Sequence, residues 1–302
     1  MKKYLKITLL SIAVLLFGGF AYSCTEDSSF DNVSSPGETQ VINLDPQYDV
    51  LVDSLTKLTN TTVLDFQANM HTSRASFWKK WTKKLFVVVL CDAIGGVTGN
   101  IVGAAFTSYC AARSQGLLPY NPGDVDILNN RSLDQQLLAD TTWARTPADN
   151  SGYLHNKVLV QLYEKHGDDL LTIPTNQIYA EADSIVTNDF GIGIVRPADQ
   201  SAAETLYAQL AEVGENSETI TDFFTAWKQL HPDNRNQWNV LEVVMNGFYE
   251  LDLNADNGQY LNSVIQTINT SSLPDEEKQS LRTCISIGHA SAFLWSRQVF
   301  SN

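Results

Sequence analysis

Residues 85–112 read LFVVVLCDAIGGVTGNIVGAAFTSYCAA and hold a single charge, Asp92. Small side chains return there every four residues: Cys91, Gly95, Gly99, Gly103, Thr107 and Ala111. A four-residue step on an α-helix turns about 400°, so these six positions form one slowly drifting groove. Such a groove admits another backbone at close range. That contact must offset the roughly 1 kcal/mol of helix propensity that each glycine costs relative to alanine. The expected element is one continuous helix, buried all round in the middle of a bundle. On a straight helix Cys91 and Cys110 stand about 28 Å apart, far beyond disulfide reach. A bridge between them would require a sharp reversal, so Cys91, Cys110 and Cys284 are expected as buried free thiols.

Just before this run lies a basic, aromatic stretch: Arg74, Phe77, Trp78, Lys79, Lys80, Trp81, Lys83 and Lys84. Trp and Lys beside an apolar run often mark a membrane interface. The insertion balance is close to zero. Residues 85–90 contribute roughly −0.3 to −0.6 kcal/mol each, and Asp92 costs roughly 2.5 to 3.5 kcal/mol near a helix centre. A buried bundle helix is therefore the first reading. A membrane-active or pore-forming use of residues 74–112 is the alternative.

The rest of the chain carries helical spacing. Tyr48, Leu51, Val52, Leu55 and Leu58 recur at three- and four-residue steps, as do Leu154, Val158, Leu159, Leu162 and Tyr163. Pro174 and Pro197 stand where helices start, and Asp275, Glu276 and Glu277 supply acids to a first turn. Val240, Val244, Phe248 and Leu251 mark a further helix, and Leu281, Ile285 and Ala292 lead another toward Trp295. FGIGIVR at 190–196 is the one strand candidate. The expected fold is all-α, an irregular helical bundle around a glycine-rich, largely uncharged central helix at about 85–112. Residues 45–302 are expected to form a single domain.

The first residues follow a targeting pattern. Lys2, Lys3 and Lys6 precede the apolar stretch LLSIAVLLFGGF at 9–20, and Ala21-Tyr22-Ser23 leads to Cys24. An apolar stretch of that length is too short to span a bilayer comfortably. The segment resembles a bacterial lipoprotein signal, which implies cleavage before Cys24 and lipid on that cysteine. It departs from the pattern at Ala21, where such signals usually carry Leu, so ordinary cleavage after Ser23 stays open. Thr25-Glu26-Asp27-Ser28-Ser29 resembles the surface-export residues of Bacteroidota lipoproteins. The resemblance implies an exported protein, lipid-anchored to the outer membrane, on its outer or its periplasmic face. Residues 1–23 are then the signal peptide. Residues 24–44, with Pro36-Gly37 in the middle, are the lipidated cysteine and a flexible tether with a root-mean-square reach of roughly 25 Å.

The formal charge of −14 becomes −17 when the 3 lysines of the leader are removed, and a chain that acidic repels phosphate backbones. Nucleic acid is not an expected partner; the membrane, through Cys24, and an unidentified protein or glycan ligand are. Catalytic motifs are sparse. No HExxH, GxSxG or P-loop occurs, and no Cys/His set has zinc spacing. His155, with the acids Glu164 and Asp168, is the weak catalytic candidate, implying a hydrolase. Asp252, Asn254 and Asp256 place oxygens at the first three odd positions of a calcium loop. Gly258 is one place late there, and the twelfth position is Ser263 instead of Glu. No cofactor is expected. The leading functional expectation is a non-enzymatic binding or interaction module at the cell envelope.

Overall fold

A computed structural model describes residues 45–69, 82–118, 151–189, 200–251 and 255–300. Every described residue lies in one compact unit, Leu44–Asn302. Cys24, the leader, the tether, most of the basic stretch and the strand candidate at 190–196 fall outside the described residues.

The described residues are helical, with no strand among them. The elements are α1 (Pro46–Asn69), α2 (Thr82–Ser114), α3 (Ser151–His166), α4 (Thr175–Ser184), α5 (Gln200–Asn216), α6 (Ile220–Leu230), α7 (Arg235–Glu250), α8 (Ala255–Thr270) and α9 (Asp275–Phe300). A 3₁₀ turn (Gly167–Leu171) links α3 to α4, and a π turn (Ile185–Asp189) follows α4. The fold is the expected irregular bundle, and α2 is its centre, packing against α9, α5, α3 and α4. On the other side α1 packs on α7 and α8.

In one respect α2 departs from a straight central helix. Thr107 Oγ1 lies 3.1 Å from the carbonyl oxygen of Cys91, where sixteen residues of straight helix would separate them by about 24 Å. The chain therefore doubles back within α2. A Cβ built on Gly95 would fall 3.0 Å from Ala104 Cα and 2.5 Å from Thr107 Oγ1, and one on Gly103 would sit 3.6 Å from Gly95 O. Small residues expected to receive another helix instead receive the second half of their own. The single proton of the Thr107 hydroxyl is shared among the carbonyls of Cys91, Gly103 and Ala104. These contacts need glycine at 95, because any side chain there would push the two arms apart. With Val88, Leu90, Ile94, Val102, Phe106 and Tyr109 buried along it, the hairpin lies in the core of the bundle.

The flanking helices form for local reasons that agree with their packing. Thr219 caps α6 by accepting from Asp222 N while Asp222 accepts from Thr219 N, a reciprocal pair that satisfies two otherwise orphan donors. Its buried face holds Phe223, stacked on Trp227 and edge-on to Phe224, and Trp227 meets Trp238 of α7 edge-on. Gly247 of α7 is where Tyr260 of α8 crosses: a Cβ there would fall 2.2 Å from the Tyr260 hydroxyl.

Candidate functional site

Asp92, on the first arm of α2, is fully buried. A carboxyl group so placed must either find donors or give up its charge. It does both. Ser108, on the returning arm, donates to Asp92 Oδ2 at 2.7 Å, and Ser291 of α9 donates to the same oxygen at 2.5 Å. The indole N–H of Trp295, one turn further along α9, donates to Ser108 Oγ at 3.1 Å. Burial nevertheless outweighs these bonds and raises Asp92 from 3.8 to about 8, so it holds its proton at neutral pH.

The third side of the cluster is the start of α3. His155 Nε2 stands 3.6 Å from Asp92 Oδ2. Its Nδ1 is 2.9 Å from Asn156 Oδ1, while Asn156 Nδ2 donates to Ala290 O of α9 at 2.8 Å. Since that amide NH₂ is engaged by a carbonyl, Oδ1 must accept, and the imidazole proton sits on Nδ1. The Nε2 lone pair thus faces the acid. Burial lowers His155 from 6.5 to about 4, against the opposing pull of Asn156 and of the Ala104 carbonyl. Near neutral pH both partners are uncharged. This makes it tolerable that Asp92 Oδ1 and His155 Nε2 complete no hydrogen bond, since an unpaired neutral group costs less than an unpaired ion.

Close approach of α3 to α9 is made possible by Gly152. A Cβ there would lie 2.3 Å from Ser286 O, and the Gly152 N–H instead meets Ser286 Oγ at 3.3 Å. The neighbouring His289 of α9 is also buried, tilted between Phe248 and Phe293 at 5.2 and 5.0 Å, and burial lowers it to about 3.

The arrangement cannot activate a hydroxyl as a nucleophile. Ser108 and Ser291 spend their protons on the acid rather than on the imidazole, and Asp92, Ser108, His155 and Ser291 are all 0% exposed. The acids expected beside His155 are elsewhere. Glu164 is exposed and lies nine residues on, about 13 Å along the same helix. Asp168 belongs to the 3₁₀ turn beyond the end of α3, where only its backbone is described. The structure brings His155 to Asp92 instead.

The remaining candidates are placed as follows. Cys91, Gly95, Gly103, Thr107 and Ala111 line α2, the first two on one arm and the last three on the other; Gly99 lies in the stretch 97–100, where backbone alone is described. Asp252 and Asn254 lie outside the described residues, and Asp256 is in the first turn of α8. That helix already runs through the positions a calcium loop would need as loop, and Ser263 bonds back to Gln259 O within it, so no such loop forms over 255–263. Among the described residues no three His, Cys, Asp or Glu groups are placed to hold a metal. None of the described helices is long and apolar enough to cross a membrane, which weighs against the pore-forming alternative. A small apolar cavity of about 20 Å³, lined by Tyr109, Leu159, Tyr163 and Trp295 among others, has room for about one water.

Ser108, Ser291, Trp295 and Asn156 were not among the expected site residues. The signal pointing to them was Asp92 itself, since a lone acid in an apolar run demands donors; where those donors sit depends on the reversal of α2. Comparison with known proteins finds no family model, no curated protein and no solved structure that matches the chain.

Proposed function

We propose that this chain is an exported, lipid-anchored helical module that works at the cell envelope by binding a protein or glycan and performs no catalysis. The reading of its address rests on Lys2, Lys3 and Lys6, the apolar residues 9–20 and Cys24. A diacylated or triacylated cysteine buries enough methylene groups to anchor stably, at about 0.8 kcal/mol for each.

The observation that carries the binding reading is the enclosure of the Asp92–His155 cluster. Its groups are arranged to join α2, α3 and α9, and they expose no polar atom to a substrate. Substituting His155 by Ala should then lower stability and leave whatever the protein binds unchanged in affinity once folded.

The anchor is tested by growing cells with radioactive palmitate. Label should follow the wild-type protein and vanish from Cys24→Ala. Equal labelling of both, or of neither, would defeat the proposal.

A further inference from the structure

We infer that Cys91 and Cys110 are the two halves of a disulfide that clasps the arms of the α2 hairpin. The register of the seam is set by three contacts: Cys91 O with Thr107 Oγ1, Asp92 with Ser108, and Gly95 with Ala104. Cys91 is thereby level with residues 107–108, and Cys110 stands about two residues, roughly 3 Å, further from the turn. Side chains on a helix lean toward its N-terminus. On the first arm that tilt carries the Cys91 side chain away from the turn, and on the second it carries Cys110 toward it. The two tilts close the offset between the sulfurs.

The side of the seam also agrees. Asp92 and Ser108 face α9 and α3, whereas Tyr207 of α5 donates to Cys110 O at 3.1 Å and lies within electrostatic range of both thiols. Cys91 and Cys110 thus both lie near the same helix, and a charge on Cys110 also acts on Cys91. Cys284 lies on α9, where a Cβ at Gly96 would meet its Cα at 3.4 Å, so it belongs to a different face of the first arm. Both hairpin thiols are buried and unbonded in this structure.

Closure is an ordinary two-step exchange. With glutathione disulfide as oxidant, the Cys91 thiolate attacks one of its sulfurs and expels a glutathione thiolate. The Cys110 thiolate then attacks the Cys91 sulfur of the mixed disulfide and expels the second glutathione. Two protein thiols are oxidised, one glutathione disulfide is reduced to two thiols, and both thiol protons pass to the departing thiolates. In the cell the same role falls to a disulfide-donating oxidoreductase of the exported compartment, and here the inference rests on the proposed export. Burial pushes the folded Cys91 thiol well above its ordinary range and Cys110 to about 12. Exchange therefore runs while the hairpin is forming, before α5 covers it.

Trypsin releases residues 85–113 as one peptide holding both cysteines, because Lys84 and Arg113 are its nearest cleavage points. The full chain is unfolded, refolded in a mixture of reduced and oxidised glutathione, blocked with an alkylating agent under denaturing conditions, and digested. The expected result is a peptide lighter by two hydrogens with neither cysteine alkylated. Cys284→Ala should leave it unchanged, and Cys110→Ala should leave Cys91 free for alkylation. A peptide carrying two alkyl groups, or a cross-link from either cysteine to Cys284, overturns the inference. A bond that forms in glutathione but is missing from protein isolated from the cell envelope supports the pairing and counts against the export reading instead.

Discussion

Ser291 of α9 and Asp92 of α2, 199 residues apart in the chain, meet in a 2.5 Å hydrogen bond with both side chains fully buried. Because Ser108 donates to the same carboxyl oxygen, one acid ties the returning arm of the hairpin and the C-terminal helix to the first arm. His155 closes the remaining side. The cluster is the polar centre of an otherwise apolar junction, and its protonation decides how the bundle responds to pH and to substitution.

Asp92→Ala strands two buried hydroxyls and opens a void, each lost acceptor costing about 1 to 3 kcal/mol. A loss of about 3 kcal/mol or more in urea unfolding is expected. Asp92→Asn keeps an oxygen at the Oδ2 position for Ser108 and Ser291, puts its amide NH₂ where Oδ1 already lacks a partner and brings no charge, so its cost should stay below about 1 kcal/mol. Equal losses from the two variants would contradict this account of the cluster.

The pH dependence follows from the same groups. Asp92 binds its proton up to about pH 8 in the folded chain but only to its ordinary 3.8 when unfolded. Its contribution is therefore full at low pH and is lost as pH rises through 8. His155 and His289, lowered to about 4 and about 3 from 6.5, act in the opposite sense: stability is lost as pH falls below 6.5, because the unfolded chain takes up protons that the folded one refuses. Between 4 and 6.5 Asp92 and His155 nearly cancel, and His289 leaves a net loss on acidification. Stability should peak near pH 6.5 and fall by about 2 kcal/mol by pH 8, with one group contributing about 1.4 kcal/mol per pH unit. In Asp92→Asn the alkaline limb should flatten.

Glycine positions that look alike in sequence should behave differently. Gly152→Ala drives a Cβ into the Ser286 backbone, 2.3 Å from its carbonyl oxygen, and should cost about 3 kcal/mol or prevent folding. Gly103→Ala meets only ordinary contact at 3.6 Å; there the gain in helix propensity, up to about 1 kcal/mol, should make thermal unfolding no easier than in wild type. Gly116→Ala finds no neighbour within 4 Å, but its φ of 66° is left-handed, so a cost of about 1 to 2 kcal/mol is expected from the backbone alone.

Asn156→Asp exchanges the amide that donates to Ala290 O for a carboxylate oxygen facing that carbonyl. Two acceptors then oppose each other in a buried site, and a loss of about 3 kcal/mol at pH 7 is expected. The loss should shrink on acidification as the new acid gains its proton. Circular dichroism melts at pH 5 and pH 7 measure the difference.

The helical character of the chain was legible wherever three- and four-residue spacing was regular. Tyr48, Leu51 and Leu55 of α1 are buried as their spacing requires, and so are Val158, Leu159 and Leu162 of α3. The centrality of residues 85–112 was legible too, because a run with a single charge in an acidic chain favours the core. The reversal of α2 was not. Small residues every four positions announce that something comes close and do not say what; Gly95 would pack equally well on another helix. His155 stood out, but its partner did not, since Asp92 lies 63 positions upstream and reaches it only through the packing of α3 on α2.

By itself the amino-acid order determined the class of fold, the identity of the central segment and the likeness of the first residues to an export signal. Each of these is written in local composition and periodicity, and reading them requires no distant neighbour. Tertiary structure alone decided that the central segment folds on itself, that Asp92 meets Ser108, Ser291 and His155, and that Cys91 comes level with the Cys110 turn of its own helix. Those are contacts between residues sixteen to 199 positions apart, and they arise only when burial of the whole bundle forces a lone acid and a row of glycines to find partners.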